Sequence, residues 1–555
     1  MNEKILSGQC VLEADEALAS LTIAEGAVVT APEGKRVVLT VDGVQRDLEP
    51  GTYTGDVKLS VINGVIVDYE THGSVDHYCM ANAVSMENGK FAADQSVAAA
   101  WNPEAEVADG VVRNLKIVSH GDNFGGVMVR DGEALIENVE MELIGNGGCD
   151  FTGEGVGITA MGNAKVTVNN AKIHTCGSIR ATVLGREEAE VVVNDSELFT
   201  RDGDKPNNIH GMTKVPWMLG LTGRVRSTNL VDKAHVTYNR CHVRCENWGT
   251  FSTDGTKPGA MLTMNDCVIE SEKCGYGAYS IGECLDTFSG CKMNMGNYPL
   301  IMCAEGSGIF TNACDITSRK VGVMMHGGQG TGHLLIDKKS VFNTARAVLQ
   351  VKGQGAYIKV DDAQLNSAIG VILERFPNDD PNMSGKGMGG PGGPGGPGGP
   401  GGPAGGKMPP MPEMGPSHDD VEAEFSNCTL NGDFIDSMAD KGNFMLSFKN
   451  CQVNGAISTG VVYHPQGMPE QDKWWLIGLV EHTLGPNDEE NGISVTLDAA
   501  SSWTVAKNSC MNQLSIAEGA VVAAPEGKKL TMLVNGEETA IVPGTYSGKI
   551  VITVA

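Results

Sequence analysis

The sequence predicts an all-β protein, a parallel β-helix with small β segments at both ends. First, from about Asp109 strand patterns such as "VTVNNAKI", "VVVNDSEL" and "LTMNDCVI" recur every roughly 22 to 30 residues. Second, glycine is abundant at 73 of 555 residues and aromatics are sparse at 5%, which is typical of β-rich folds with many tight turns. Third, long helical periodicity is absent. Short strands at a regular period, none able to bury a face alone, indicate a solenoid of about a dozen coils.

Each predicted coil has the same internal order. It begins with an alternating strand followed by Asn or a similar polar residue, and a second apolar strand then ends near a glycine, as in "VGITAMG" and "LIMCAEG". Asn tolerates unusual backbone angles and can bond the next coil, so we expect the polar residue at a coil corner.

The two ends of the chain carry one repeated segment. Residues Leu21–Val57 and Leu514–Ile550 align without a gap, and both contain "IAEGAVV" followed by "APEGK". Asp-Gly and Asn-Gly pairs inside the copies are strong hairpin signals. Because an open solenoid end exposes unpaired backbone, we expect the copies to be caps or contacts for assembly, including a homo-oligomer.

Two insertions interrupt the coils. One is polar, at about 201–216, and the other is the Gly/Pro-rich 377–416, whose composition cannot build a core and which is either a lid or a passive linker. We therefore predict an N-terminal β segment over 1–70, a β-helix over 71–508 and a C-terminal β segment over 509–555.

Composition excludes several function classes. The formal charge of −27 argues against nucleic acid and anionic membrane as partners, since a phosphate-binding surface needs clustered Lys and Arg. No apolar run approaches a membrane span and the first residues lack signal-peptide features, so a cytoplasmic location is expected. The 15 cysteines occur singly, without a C-x-x-C pair, which indicates neither a zinc site nor a disulfide framework. We predict no metal and no cofactor.

Chemistry is expected on an outward face of the coils. Residues at one offset of successive coils form a ladder about 4.8 Å apart. Alignment of the second strands by their terminal glycine puts four acids, a histidine and a lysine on one such ladder: Asp254, Glu283, Glu305, His326, Lys352 and Glu374. These are the types that an acid–base mechanism requires, although charge pairs that merely solvate a face would give the same pattern.

Aromatic and basic residues occur close to the ladder in sequence. Tyr276 and Tyr279 are candidate catalytic groups near Glu283, while Trp217, Trp248 and Arg224 are candidate substrate contacts. Of the ladder, Asp254, Glu283, His326 and Lys352 are the catalytic candidates, with Glu305 and Glu374 as substrate contacts.

The coil pattern over about Asp109 to Ser502 resembles the pectin-lyase-like superfamily of right-handed parallel β-helices. Within it, the order of "STDG", "HGG" and "VKG" is similar to polygalacturonases, whose motifs run Asn-Thr-Asp, Asp-Asp, Gly-His-Gly and Arg-Ile-Lys. The resemblance implies a catalytic carboxylate at Asp254, a supporting histidine at His326 and a substrate-carboxylate binder at Lys352. Ser252 and Met325 stand where those motifs have Asn and Gly, and no Asp-Asp pair follows at the expected coil.

The sequence thus predicts a cofactor-independent acid–base enzyme. Its substrate would be a small polyhydroxylated molecule bound in an outer groove, a sugar or uronate oligosaccharide that is hydrolysed or cleaved by elimination. An isomerase or group transferase acting on a phenolic ring is one alternative, and a non-enzymatic structural or adhesive solenoid is another.

Overall fold

The computed structural model describes residues 2–71, 74–203, 225–254, 259–326, 330–380, 419–438, 441–470, 473–485 and 492–555. These residues form two compact units, one ending at Glu272 and the other beginning at Lys273. Within the described ranges there are three short 3-10 helices, at Ala93–Gln95, Ala98–Ala100 and Trp474–Leu476, and no α-helix. Everything else that is regular is β-strand.

The strands of the first unit are β1 Glu3–Leu6, β2 Gln9–Val11, β3 Glu16–Ile23, β4 Val28–Thr30, β5 Lys35–Val41, β6 Val44–Arg46, β7 Gly51–Asn63, β8 Val65–Thr71, β9 Ser74–Glu87, β10 Lys90–Phe91, β11 Glu106–Ala108, β12 Val111–Arg113, β13 Lys116–His120, β14 Phe124–Arg130, β15 Glu133–Glu137, β16 Glu140–Ile144, β17 Ile158–Met161, β18 Lys165–Asn169, β19 Lys172–Cys176, β20 Val183–Gly185, β21 Glu190–Asn194, β22 Glu197–Arg201, β23 Arg226–Val231, β24 His235–Asn239, β25 His242–Cys245, β26 Gly249–Asp254, β27 Met261–Asn265 and β28 Val268–Ser271.

Those of the second unit are β29 Tyr276–Ile281, β30 Leu285–Ser289, β31 Lys292–Met295, β32 Tyr298–Cys303, β33 Ser307–Thr311, β34 Asp315–Ser318, β35 Val323–His326, β36 Thr331–Ile336, β37 Val341–Thr344, β38 Leu349–Lys352, β39 Gly355–Asp361, β40 Gln364–Ser367, β41 Val371–Phe376, β42 Val421–Ser426, β43 Thr429–Asn431, β44 Asp433–Asp436, β45 Phe444–Lys449, β46 Gln452–Gly455, β47 Ile457–Tyr463, β48 Glu481–Leu484, β49 Ile493–Leu497, β50 Ser502–Val505, β51 Ser509–Ile516, β52 Val521–Ala523, β53 Leu530–Val534, β54 Glu537–Thr539 and β55 Gly544–Val554.

Each regular coil contains three strands, and each strand pairs in parallel with its counterpart in the next coil. In the first unit the first sheet runs β12-β15-β18-β21-β24-β27, the second β13-β16-β19-β22-β25-β28 and the third β9-β14-β17-β20-β23-β26. In the second unit the first sheet runs β30-β33-β36-β39-β42-β45-β49, the second β31-β34-β37-β40 and the third β29-β32-β35-β38-β41-β44-β47. The fold is therefore the expected parallel β-helix.

The expectation of two strands per coil was wrong, because the residues after the Asn corner form a strand of their own. At the corner between β18 and β19, Asn170 has a φ of 54° and turns the chain before the alternation resumes in Lys172–Cys176. Left-handed backbone is most accessible to Asn and Asp among the non-glycine residues, which explains their recurrence there.

The asparagines that end the first strand of successive coils, one residue before the corner, bond from coil to coil. Asn194 donates through its side-chain amide to the Oδ1 of Asn169 at 2.9 Å, Asn239 donates to Asn194 at 2.8 Å and Asn265 to Asn239 at 2.9 Å. Each amide is both donor and acceptor, so an in-register column satisfies itself. This ladder fixes the register of the first sheet in the first unit.

The interior of each coil is filled by alternate apolar side chains. In the second unit Phe288, Phe310 and Phe342 are fully buried, with ring centroids 4.9 and 5.0 Å apart in successive pairs. The fifteen cysteines are thiols rather than disulfides, and inward ones such as Cys314 bond backbone carbonyls at the corners. The core leaves the opposite, outward side chains of every strand to carry function.

The two repeated segments fold alike. In one copy β3 pairs antiparallel with β7 so that Leu21 faces Tyr53, and in the other β51 pairs with β55 so that Leu514 faces Tyr546. Tyr53 donates to the carbonyl of Glu49 at 2.9 Å, and Tyr546 donates to that of Val542 at 2.7 Å. The same tyrosine therefore closes the same turn twice.

The copies contact the coils through different strands. In the first unit β6 pairs in parallel with β13 of the first coil. In the second unit β51 pairs in parallel with β49, which continues the first sheet. β3 makes the corresponding parallel pair with β1, outside the regular coils.

Candidate functional site

The outward face of the third sheet in the second unit carries two rows of side chains. One row contains Ile281, Cys303, His326, Lys352 and Phe376, which face each other in register from β29 to β41. The neighbouring row contains Tyr279, Ile301, Met324, Gln350 and Glu374. His326 and Lys352 are thus direct neighbours, and Tyr279 and Glu374 lie one row away.

The single ladder expected from the sequence was wrong for the acids of this unit. Glu374 faces Gln350 rather than Lys352, because β41 extends two residues beyond the position used for the alignment. Glu283 and Glu305 follow Ile281 and Cys303, the last residues of their strands, by two positions and so lie outside the paired face. Backbone pairing sets the register, and the glycine turns after the strands vary in position.

A segment from later in the chain covers this face, and we call residues 473–485 the strap. The amide of Gly478 donates to the carboxylate of Asp379 at 2.7 Å, and the carbonyl of Gly478 accepts from Gln350 at 3.1 Å. Arg346 donates to the carbonyl of Val480 at 2.5 Å. Side chains of the sheet and of the loops beside it therefore satisfy the strap's backbone, and both rows are buried except at Ile281 and Cys303, which are partly buried.

A buried ion pair joins the sheet to the loop after β41. The Lys352 Nζ lies 2.5 Å from Asp379, and both side chains are almost fully buried. His464 contacts the other oxygen of Asp379 at 3.2 Å. Although burial opposes ionisation, Lys352 and these hydrogen bonds hold the pKa of Asp379 well below its usual range. Asp379 is consequently an anion at every physiological pH.

Tyr279 and His326 form a second pair beside the first. The Tyr279 hydroxyl lies 3.4 Å from the Nε2 of His326, and the rings stack with centroids 6.0 Å apart. Burial, and then the charge of Lys352, lowers the pKa of His326 to about 3. Its Nδ1 has no hydrogen-bond partner among the described residues. The imidazole is therefore neutral at physiological pH and can accept from the tyrosine hydroxyl.

Lys320 is a second buried basic group, held beneath the strap. Its ammonium donates to the carbonyl of Ile477 at 2.7 Å and lies 5.0 Å from the centroid of the Tyr298 ring. Burial, followed by the repulsion of Lys352, lowers its pKa to about 7. An amine that titrates near neutrality is suited to proton transfer.

A carboxylate–histidine pair lies at the end of the strap. Glu374 contacts the Nε2 of His482 at 2.8 Å and accepts from Gln350 at 2.7 Å. The Nδ1 of His482 lies 2.9 Å from the Ser437 hydroxyl. Every polar atom of this imidazole is therefore engaged, which favours a structural role for Glu374.

Asp254 lies in the first unit and has its own partners. Arg226 bridges it at 2.9 Å to Asp150 at 3.4 Å, and Asn229 donates to the carbonyl of Asp150. Burial raises the pKa of both carboxyls, and Arg226 opposes that shift. This arrangement couples two acids through one guanidinium.

The other sequence candidates are distributed as follows. Tyr276 is fully buried and packs edge-on against Tyr279 with centroids 5.7 Å apart, while Trp248 is half-buried in the first unit. Trp217 and Arg224, together with most of the two insertions, lie outside the described residues.

Sequence reasoning missed four polar residues of the covered face: Lys320, Asp379, His464 and His482. The usable signal was the stretch between β47 and β49, which is too long for a coil turn and contains two histidines and "KWWLIG". Lys320 follows a strand end without any motif, and only the fold reveals its burial.

No group of three or more His, Cys, Asp or Glu side chains within the described ranges could hold a metal ion. Nor is any helix formed by these residues long and apolar enough to cross a membrane.

Comparison with known proteins bears on the fold. Residues 105–284 match a family model described as a right handed beta helix region. Searches of the curated proteins and of the solved structures gave no match. Together with the parallel pairing of the sheets in each unit, this match shows a right-handed parallel β-helix, which fits the resemblance to the pectin-lyase-like superfamily.

Proposed function

We propose that the chain is an acid–base enzyme and that its catalytic groups are those beneath the strap. The observation that carries the proposal is Lys320, an amine whose pKa lies at about 7, in the same covered face as the Tyr279–His326 pair. Groups with pKa values shifted toward neutrality by burial are typical of active sites. The substrate class that fits best is a polyhydroxylated molecule bearing a carboxylate, such as a uronate oligosaccharide.

Elimination suits these groups better than hydrolysis does. Hydrolysis of a glycosidic bond needs a carboxylic acid with a raised pKa beside a carboxylate. Beneath the strap, the pKa of Asp379 is instead held low by Lys352. Elimination needs an amine or similar base, a cation for the substrate carboxylate and a proton donor, and the covered face offers all three types.

The proposed roles follow from charge. Neutral Lys320 removes the proton from the carbon next to the substrate carboxylate, and Lys352 stabilises the negative charge that develops there. The electron pair then forms a carbon–carbon double bond while the bond to the leaving oxygen breaks. Tyr279 gives its proton to that oxygen, oriented by the neutral His326. Asp379 holds Lys352 in place.

Access is part of the proposal, because Lys352 and His326 are fully buried in the structure. Substrate reaches them when the strap moves off the sheet. Lys320 and Gln350 then bond to the substrate instead of to the strap carbonyls. Covering segments of this kind exclude water once they close.

The same burial favours one rival, a purely structural solenoid. Lys320 and Arg346 donate to strap carbonyls, so they would be retained simply to fasten the strap. The two functions differ in what the lysine's proton does, and that difference can be measured.

The test is turnover of a panel of uronate oligosaccharides, followed by the ultraviolet absorbance of the new double bond. For the wild type we expect a rate that rises with pH through a midpoint near 7, where Lys320 loses its proton. Lys320→Gln keeps a hydrogen-bond donor but removes the base, and should lower the rate by about 10²–10⁴-fold. Tyr279→Phe should lower it as well.

Lys292→Gln, at an exposed position of β31, is the matched control and should be unaffected. The enzymatic proposal would be refuted if the wild type turned over no member of the panel, or if Lys320→Gln kept full activity with its fold intact. Loss of thermal stability in Lys320→Gln, without any wild-type turnover, would support the structural rival.

A further inference from the structure

A second surface of the second unit, unrelated to the strap, has the chemistry of a binding site. The outward face of its first sheet contains a groove of about 760 Å³. Two in-register rows line it: His333, Tyr357, Glu422 and Met445 in one, and Leu335, Lys359, Glu424 and Ser447 in the other. The volume is in the range of ligand pockets in general.

Length also favours an extended ligand. Residues that line the groove come from seven adjacent strands, from Leu285 on β30 to Thr496 on β49. Strands in a sheet lie about 4.8 Å apart, so the groove is about 29 Å long. A chain of several sugar rings fits such a length, whereas a single small molecule would occupy only part of it.

An aromatic platform lies within the groove. The rings of His333 and Tyr357 are 5.0 Å apart and inclined at 35°, and Tyr357 is 42% exposed. An aromatic ring on an open surface leaves one apolar face accessible, and a flat, partly apolar ligand can stack on that face. The carbon–hydrogen face of a pyranose ring is such a ligand.

The charges on the groove select against acidic ligands. Glu424 lies 3.9 Å from Lys359 and also pairs with Lys449. Glu422, directly beside Tyr357 on the next strand, has no ion-pair partner among the described residues. An uncompensated carboxylate accepts hydrogen bonds from hydroxyls and repels another carboxylate.

A peptide strand is a poorer occupant. The strands of this face pair with neighbours on both sides, so their backbone groups are already used and cannot accept an added strand. Recognition must therefore come from side chains, and the groove provides an aromatic ring, carboxylates, Lys359 and the hydroxyls of Ser307 and Ser447.

We propose that this groove binds a short, uncharged oligosaccharide, with one sugar ring stacked on Tyr357 and its hydroxyls bonded to Glu422 and Lys359. The site is separate from the covered face in both residues and substrate charge, so it does not depend on the proposed elimination. It gives the chain a second carbohydrate contact, of the kind that would hold a polymer near the solenoid.

The test is isothermal titration of the full chain with uncharged gluco-, xylo- and manno-hexaoses and with hexagalacturonate. We expect at least one uncharged hexaose to bind, and Tyr357→Ala to weaken that binding by at least tenfold while leaving the binding of hexagalacturonate at the covered face unchanged. The matched control is Tyr463→Ala, which removes a similarly exposed tyrosine, 44% accessible, outside the groove and should bind as the wild type does.

Tyr279→Phe, which removes only a hydroxyl, distinguishes the two proposals, since it should lower the rate of elimination and leave the titration with uncharged hexaoses unchanged. The binding proposal is overturned if no uncharged hexaose binds, or if Tyr357→Ala binds the uncharged hexaoses as well as the wild type does.

Discussion

Replacing Lys320 by Met should change how the stability of the protein depends on pH. The pKa of Lys320 falls from 10.5 to about 7 on folding, because the ammonium is buried and lies near Lys352. Between these two values the unfolded chain holds a proton that the folded chain has released. Unfolding then takes up a proton, so the free energy of unfolding rises with pH across this window.

The size of the effect follows from the shift. Each pH unit within the window adds about 1.4 kcal/mol to the wild-type free energy of unfolding, and the whole shift corresponds to on the order of 5 kcal/mol. Below pH 7 Lys320 is charged in both the folded and the unfolded protein, so the cost of burying its charge is full and constant. Met titrates nowhere, so Lys320→Met lacks this slope. It also loses the bond to the Ile477 carbonyl, but that loss is the same at every pH.

Urea unfolding of the wild type and Lys320→Met between pH 7.5 and 9.5 measures this difference in pH dependence. The wild type should gain roughly 2–3 kcal/mol relative to Lys320→Met over those two units. Exchange of the Gly478 amide, which bonds to Asp379, reports the same trend locally at the strap. Lys292→Met is the control with an exposed lysine. If the free energies of unfolding of the wild type and Lys320→Met change with pH in the same way through this range, Lys320 is not a neutral buried amine.

Three further outcomes are expected. Burial lowers the pKa of His326 from 6.5 to about 3, so the stability that neutral His326 allows is lost as pH falls through that window, and His326→Gln should flatten the acid limb of urea-unfolding curves. Arg375 and Asp436 form a fully buried pair 2.7 Å apart, so removing Asp436 alone should destabilise by about 3–5 kcal/mol, while replacing both with apolar residues should cost less in thermal unfolding. Asn239→Ala breaks two ladder bonds and should lower the unfolding free energy by about 1–3 kcal/mol, whereas an unchanged value would mean that the ladder contributes nothing.

The sequence predicted the coil because the coil is a local, repeated pattern. Alternation, a polar corner and a glycine turn recur within about thirty residues, so each can be recognised without knowing its neighbours. The pairing of His326 with Lys352 was also accessible, because β35 and β38 both end at those residues.

The covered face could not be predicted in the same way. The carboxylate of Asp379 receives the amide of Gly478, a contact between residues far apart in the chain with no pattern to link them. Glu374 was misplaced for a different reason, since a strand two residues longer moves a side chain to the neighbouring row without altering the glycine turn that marked the alignment. Distant contacts and exact strand lengths are properties of the folded backbone.

The two repeated segments place nearly the same sequence in two different structural surroundings within one chain. The same turn is closed by Tyr53 in one copy and by Tyr546 in the other, and the two copies pair with different strands, β13 in one case and β49 in the other. The same substitution can therefore be made in each copy separately and the two changes in unfolding free energy compared. The contribution of the segment itself cancels in that difference, which leaves the contribution of its neighbours. Few single chains allow context to be measured with the local sequence held so nearly constant.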